Sequence, residues 1–131
     1  MRSIIFLFSF IILVTCISFI PFKQNQLKFP ANELNPTSAI DLLNKTDNKI
    51  VKVGTSKKYD LFFSLKEYDW YLTLLDKEKS NITFIEEIEE QGWTYITQNG
   101  SGLIFKKDNN TVIAKSEIWN ENYLVYSFPI N

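Results

Sequence analysis

The chain has 131 residues, a net charge of −1 and 45% hydrophobic residues, which is room for one core-forming domain behind an apolar leader and not for two domains. It contains no histidine, and its single cysteine, Cys16, lies in the apolar leader. That composition removes Ser–His and Cys–His catalysis, histidine-ligated zinc or haem, thiolate clusters and internal disulfides.

Residues 3–22, between Arg2 and Lys23, are 20 consecutive residues without a charge. A helix of that length covers roughly 30 Å, the hydrocarbon thickness of a bilayer. Ile, Phe and Leu favour insertion, and the hydroxyls of Ser9, Thr15 and Ser18 can bond carbonyls one turn back. Three fates compete. The first is an uncleaved signal anchor. The second is a secretory signal with Arg2 as its head and Cys16-Ile17-Ser18 as a small-x-small cleavage site. The third is a lipoprotein signal ending in Leu13-Val14-Thr15-Cys16. The apolar residues from Ile17 to Phe22 exceed what either cleavage requires and favour the uncleaved single-pass anchor. A two-residue head favours an inner amino terminus and an extracytoplasmic domain, although Arg2 is set against Lys23 and Lys28. A domain free of cysteine suits an oxidising compartment of a bacterial cell.

Residues 23–35 are polar, with one proline and no periodicity, and read as a tether. The remaining residues, 36–131, read as a single small α+β domain. Pro36 suits a first helical position, and Ala39, Ile40, Leu42 and Leu43 give an apolar face, predicting a helix over 36–45. Ile50, Val51 and Val53 predict a short strand before Gly54, with Thr55 to Tyr59 as loop. Leu61, Leu65, Tyr68, Leu72 and Leu75 fall at helical spacing behind a Ser64-x-x-Glu67 capping box, predicting a helix over 65–77, with a hairpin as the alternative. Thr83-x-x-Glu86 is a second box opening a helix over 83–91 that Gly92 ends.

Beyond Gly92, strand-like runs alternate with turn residues: 93–98, 102–107, 111–118 and 123–128, separated by Asn99-Gly100-Ser101, Asp108-Asn109-Asn110 and Asn120-Glu121-Asn122. The expectation is a two-layer α+β domain, helices packed on a mainly antiparallel four-stranded meander, behind an N-terminal transmembrane helix. The run GWTYITQNGSGLIFKKDNNTVIAKSEIWNENYLVYSFP, residues 92–129, resembles the C-terminal part of short, N-terminally membrane-anchored proteins of Gram-positive bacteria. It shares a Gly-Trp after a helix, a Gly-Ser-Gly turn into an apolar Phe-Lys strand, and a Trp before a Tyr-rich last strand. The resemblance covers about a third of the chain, supports the meander and brings no activity with it.

Candidate chemistry gives way to plainer readings. Glu86, Glu87, Glu89 and Glu90 are spread over the outer face of a short helix, where the earlier ones suit its dipole. Gly100-Ser101-Gly102 joins strand to strand, whereas a nucleophile elbow joins strand to helix with a base in reach. Asp108-Asn109-Asn110 lacks the six to eight oxygens calcium takes, and asparagine tolerates the left-handed region of a turn. Asn44, Asn81, Asn99 and Asn109 open N-x-Ser/Thr triplets by chance in an Asn-rich chain. No catalytic, cofactor-binding or metal-ligating residue is nominated.

The domain carries 13 Lys+Arg, Arg2 being excluded, against 15 Asp+Glu, a balance of −2 that matches nucleic acid or an anionic membrane surface poorly. The aromatic residues keep functional colour. Most belong to a core, but Trp93, Trp119 and Tyr123 are candidate partner contacts of the kind that anchor protein interfaces or stack on sugars. The sequence therefore points to a non-catalytic, membrane-anchored, extracytoplasmic interaction or accessory domain, with a protein partner at membrane or wall. The alternative is a secreted or lipid-anchored module binding a small ligand or glycan.

Overall fold

A computed structural model describes residues 28–60, 62–76 and 79–130. The apolar run at 3–22 and the first part of the tether lie outside them. Among the described residues no helix is long and apolar enough to cross a membrane.

The first helix, α1 (Thr37–Lys45), starts where Asn35 Oδ1 accepts hydrogen bonds from the Thr37 amide (3.0 Å) and hydroxyl (2.6 Å). Pro36 precedes it, and its carbonyl accepts from the Ile40 amide at 2.9 Å. The strands β1 (Ile50–Tyr59) and β2 (Leu65–Leu74) form a long antiparallel hairpin with a bulge between Lys52 and Gly54. Gly54 suits this position because its φ of 157° is one that L side chains rarely adopt, and a Cβ would also lie 3.0 Å from Leu34 Cδ2.

The second helix, α2 (Ser80–Glu90), leads into β3 (Thr94–Asn99), β4 (Gly102–Lys107), β5 (Asn110–Ile118) and β6 (Tyr123–Ile130). All six strands belong to one antiparallel sheet in the order β1-β2-β6-β5-β4-β3. β6 pairs with β2 along its whole length, from Glu67↔Ile130 to Leu74↔Tyr123, but with β5 only from Lys115↔Ser127 to Ile118↔Leu124.

This corrects the expected fold in three respects. The sheet has six strands, so the meander is only part of it. Residues 65–74 are strand and not helix, and β1 continues through the residues expected as loop. The reason is burial on both sides: Asp69, Trp70, Tyr71, Leu72 and Thr73 are all buried, which erases the alternation that marks a half-exposed strand. Ser64-x-x-Glu67 is no capping box, since the Ser64 amide donates to Asp60 Oδ1 (2.9 Å) and Glu67 stands in β2.

Thirdly, the two helices of the described residues cover opposite faces, giving three layers over the β1-β2-β6 half in place of two. Under α2, Phe84 stacks on Tyr126 with ring centroids 4.1 Å apart and planes 4° apart, and meets Tyr71 and Phe105 edge-on. Ile88, Leu103, Val112, Ala114, Leu124 and Phe128 complete this core. On the other face Phe29, Ala31, Ala39 and Leu43 pack on Trp70, Leu72 and Val125. Residues 29 and 31, within the expected tether, are thus part of the domain. α2 also begins before the expected Thr83: the Ser80 hydroxyl donates to the carbonyls of Asp76 (2.6 Å) and Leu74 (2.9 Å) and accepts from the Asp76 amide. Its far end is closed by Lys107, whose Nζ donates to the Gln91 carbonyl at 2.9 Å.

Candidate functional site

The three aromatic residues singled out by the sequence do not share a surface. Trp93 stands before β3 on the α2 side of the sheet, edge-on to Phe128 at 5.2 Å with Lys107 Nζ 5.9 Å from its ring. Trp119 and Tyr123 flank the β5–β6 turn, at the opposite end and on the opposite face. The Trp119 amide donates to the Tyr123 carbonyl (3.1 Å), the rings lie 6.0 Å apart at 36°, and Phe29 meets Trp119 edge-on at 5.2 Å. The Tyr123 hydroxyl accepts from Asn44 Nδ2 at 3.3 Å. All three residues are partly buried, and the second pair serves to hold the N-terminal segment and α1 on the sheet.

Open clefts mark the surface of the described residues. One, of about 320 Å³, runs from the end of α1 to the start of α2 and includes Asp47, Lys49, Thr73 and Asp76. Asp76 takes part in the turn into α2, accepting from the Lys79 amide. Another, of about 260 Å³, lies beyond Trp70 between Lys58, Lys115, Glu117 and Ser127. Among the described residues no group of three or more His, Cys, Asp or Glu side chains could hold a metal ion. The expected spread of Glu86, Glu87, Glu89 and Glu90 needs one refinement: Glu89 Oε1 accepts from the Tyr95 amide at 3.2 Å, tying the helix to the start of β3.

Among the described residues the most exposed apolar side chains are elsewhere, at the tip of the β1–β2 hairpin. Phe62 is 89% exposed and Phe63 87%, beside the cross-strand pair Tyr59↔Leu65 at 66% and 51%. The turn that carries them is built around Asp60. Its Oδ1 accepts from the amides of Phe62 (2.8 Å) and Ser64 (2.9 Å), and its carbonyl accepts from the Phe63 amide (3.1 Å). Its own amide donates to the Ser64 carbonyl (2.9 Å), while Lys66 Nζ lies 3.2 Å from Oδ2. The hydrogen bond from Ser64, aided by those from Phe62 and Lys66 and opposed by desolvation, holds the Asp60 carboxyl below its ordinary range.

Phe63 sits in the left-handed region (φ 57°), a conformation that costs a bulky side chain about 1–3 kcal/mol. The turn thus spends strain and a carboxylate on turning two phenylalanines outward. Behind them stand Lys57, Lys58 and Lys66, of which Lys57 pairs with Glu67 at 3.5 Å and Lys58 lies over the Trp70 ring. Sequence reasoning missed this site because Phe62-Phe63 reads as core. The signal was their place between two lysine-bearing strands, two residues after an aspartate able to close a turn.

No protein-family model, curated protein or solved structure matches the chain.

Proposed function

We propose that the protein is a non-catalytic interaction domain, held at the extracytoplasmic face of the cell membrane by its apolar residues 3–22, and that the β1–β2 hairpin tip is its contact element. The observation that carries this reading is the near-full exposure of Phe62 and Phe63 on a turn fixed by Asp60. Exposed aromatics on a pre-ordered turn contact a partner with little loss of conformational freedom. Confinement at the membrane raises the domain's local concentration, so a small contact suffices. The glycan-binding alternative has less support, because Trp119 and Tyr123 are tilted against each other and Phe29 occupies the Trp119 edge.

The test is photo-crosslinking in living cells from position 62 of the full-length chain, with position 121 as control. Adducts formed from position 62 and abolished by Phe63→Asp support the reading. Adducts no different from those at position 121 refute the tip as the contact element.

A further inference from the structure

We infer that the hairpin tip inserts into lipid: Phe62 and Phe63 enter the interfacial layer of the same bilayer that holds residues 3–22, with Lys57, Lys58 and Lys66 at headgroup level. The inference rests on the proposed membrane anchor and deepens it, since it names the tip's occupant.

Four observations favour lipid over a protein groove. The tip projects past its neighbour. β6 ends opposite Glu67, so the hairpin from Lys58 to Lys66 runs beyond it. Two exposed rings on a projecting tip suit a fluid layer that closes around them. Secondly, four backbone amides of the turn are already satisfied. The amides of Asp60, Phe62, Phe63 and Ser64 all donate within the turn. A loop entering lipid must meet that condition, because water is not there to replace missing bonds. A loop reading a peptide would keep such groups free for its partner.

Thirdly, the polarity is graded along the hairpin. Phe62 and Phe63 come first, with the Asp60 carboxylate folded into the turn behind them and held by Lys66, then Tyr59 and Leu65, then Lys58 and, paired with Glu67, Lys57, whose long stems let the ammonium groups reach phosphates. Among residues 57–60 and 62–67, three lysines face Asp60 and Glu67, so the tip is locally positive in a domain that is negative overall. Aromatic burial, and not charge, therefore drives the contact, and the lysines set its depth. Fourthly, the distances agree. Six residues, 23–28, separate Phe22 from Phe29 and reach about 20 Å when extended. Phe29 packs on Trp70, and the tip lies some seven strand residues beyond Trp70, again about 20 Å. A domain leashed this closely to a bilayer can lay its tip on it.

The experiment uses the full chain with Cys16→Ser, reconstituted in vesicles of neutral and anionic phosphatidyl lipids. A polarity-sensitive dye is attached through Phe62→Cys or, as control, through Glu121→Cys in the exposed β5–β6 turn at the opposite end. Lipids carrying a nitroxide on the upper acyl chain act as quencher. The expected result is a blue-shifted dye at 62, quenched several-fold more than the dye at 121, with the difference lost on Phe63→Asp. Quenching at 62 that survives Phe63→Asp would place the dye and not the tip in lipid, and overturns the inference.

Alkaline carbonate extraction of the same vesicles separates the two readings. An unquenched dye on a chain that resists extraction overturns tip insertion and leaves the anchor. A quenched dye on an extractable chain removes the anchor and leaves insertion. An unquenched dye at 62 that crosslinks to a protein in native membranes replaces lipid with a protein partner and overturns the inference.

Discussion

Phe29→Ala and Phe62→Ala are the same chemical change and should have opposite consequences. Phe29 is 5% exposed and lies edge-on to two tryptophans, with centroids at 6.1 Å from Trp70 and 5.2 Å from Trp119. Truncating a buried phenylalanine costs about 3–5 kcal/mol in a rigid core, and each edge-to-face pair contributes about 0.5–1.5 kcal/mol of that. Phe29 sits near the start of the packed chain, where its neighbours can partly collapse onto the gap, so we expect about 3 kcal/mol. Phe62, at 89% exposure, has almost no buried area to lose, and its replacement should stay within about 0.5 kcal/mol. The assay is urea unfolding of the full chain in detergent micelles, followed by tryptophan fluorescence, with the slope compared between variants. A cost below about 1 kcal/mol for Phe29→Ala would refute the view that residues 29–34 belong to the domain. So would equal costs for the two variants.

Tyr126→Phe removes the 2.7 Å hydrogen bond from the phenol to Asn81 Oδ1 and should cost about 1 kcal/mol in the same assay at neutral pH. Burial raises the Tyr126 phenol well above its ordinary value, and burial likewise raises Tyr71, against the bond from Gln91. Above about pH 10 the unfolded chain gives up these protons while the folded one keeps them, so stability is whole below that pH and falls above it. Tyr126→Phe should flatten that fall, read as unfolding midpoint against pH. Gly54→Ala pushes a methyl group to 3.0 Å from Leu34 Cδ2 and should cost more than about 1 kcal/mol, again by urea unfolding. Asp60→Ala frees the amides of Phe62 and Ser64, and hydrogen exchange at both should accelerate without change at Phe84; equal protection in the variant would show that the carboxylate does not order the tip.

What the sequence displays follows from which faces are wet. β4 and β5 alternate Leu103, Phe105, Val112 and Ala114 inward with more exposed neighbours outward, so their period and their turns are legible. β2 shows no such period because α2 packs on one side of it and Phe29 with α1 on the other. Its leucines then fell at helical spacing by coincidence. Both expected capping boxes failed because they consist of common residues. The true start of α2 is made by Asp76, which caps the Lys79 amide, and by Ser80, whose hydroxyl reaches back to Leu74 at the end of β2. Phe29 was hidden by polar neighbours, and the pair Phe62-Phe63 by its own hydrophobicity. Composition predicts burial on average, and the tip inverts that rule.

The proposal that residues 3–22 keep an intact domain at the outer face of a membrane can be decided by protease accessibility of the full chain in intact cells whose membranes are then extracted with carbonate and whose chain is weighed by mass spectrometry. A full-mass chain in the extracted membrane, cut by external protease within the domain, is the expected result. A shortened chain in the soluble fraction, or a domain protected until the cells are opened, would contradict it.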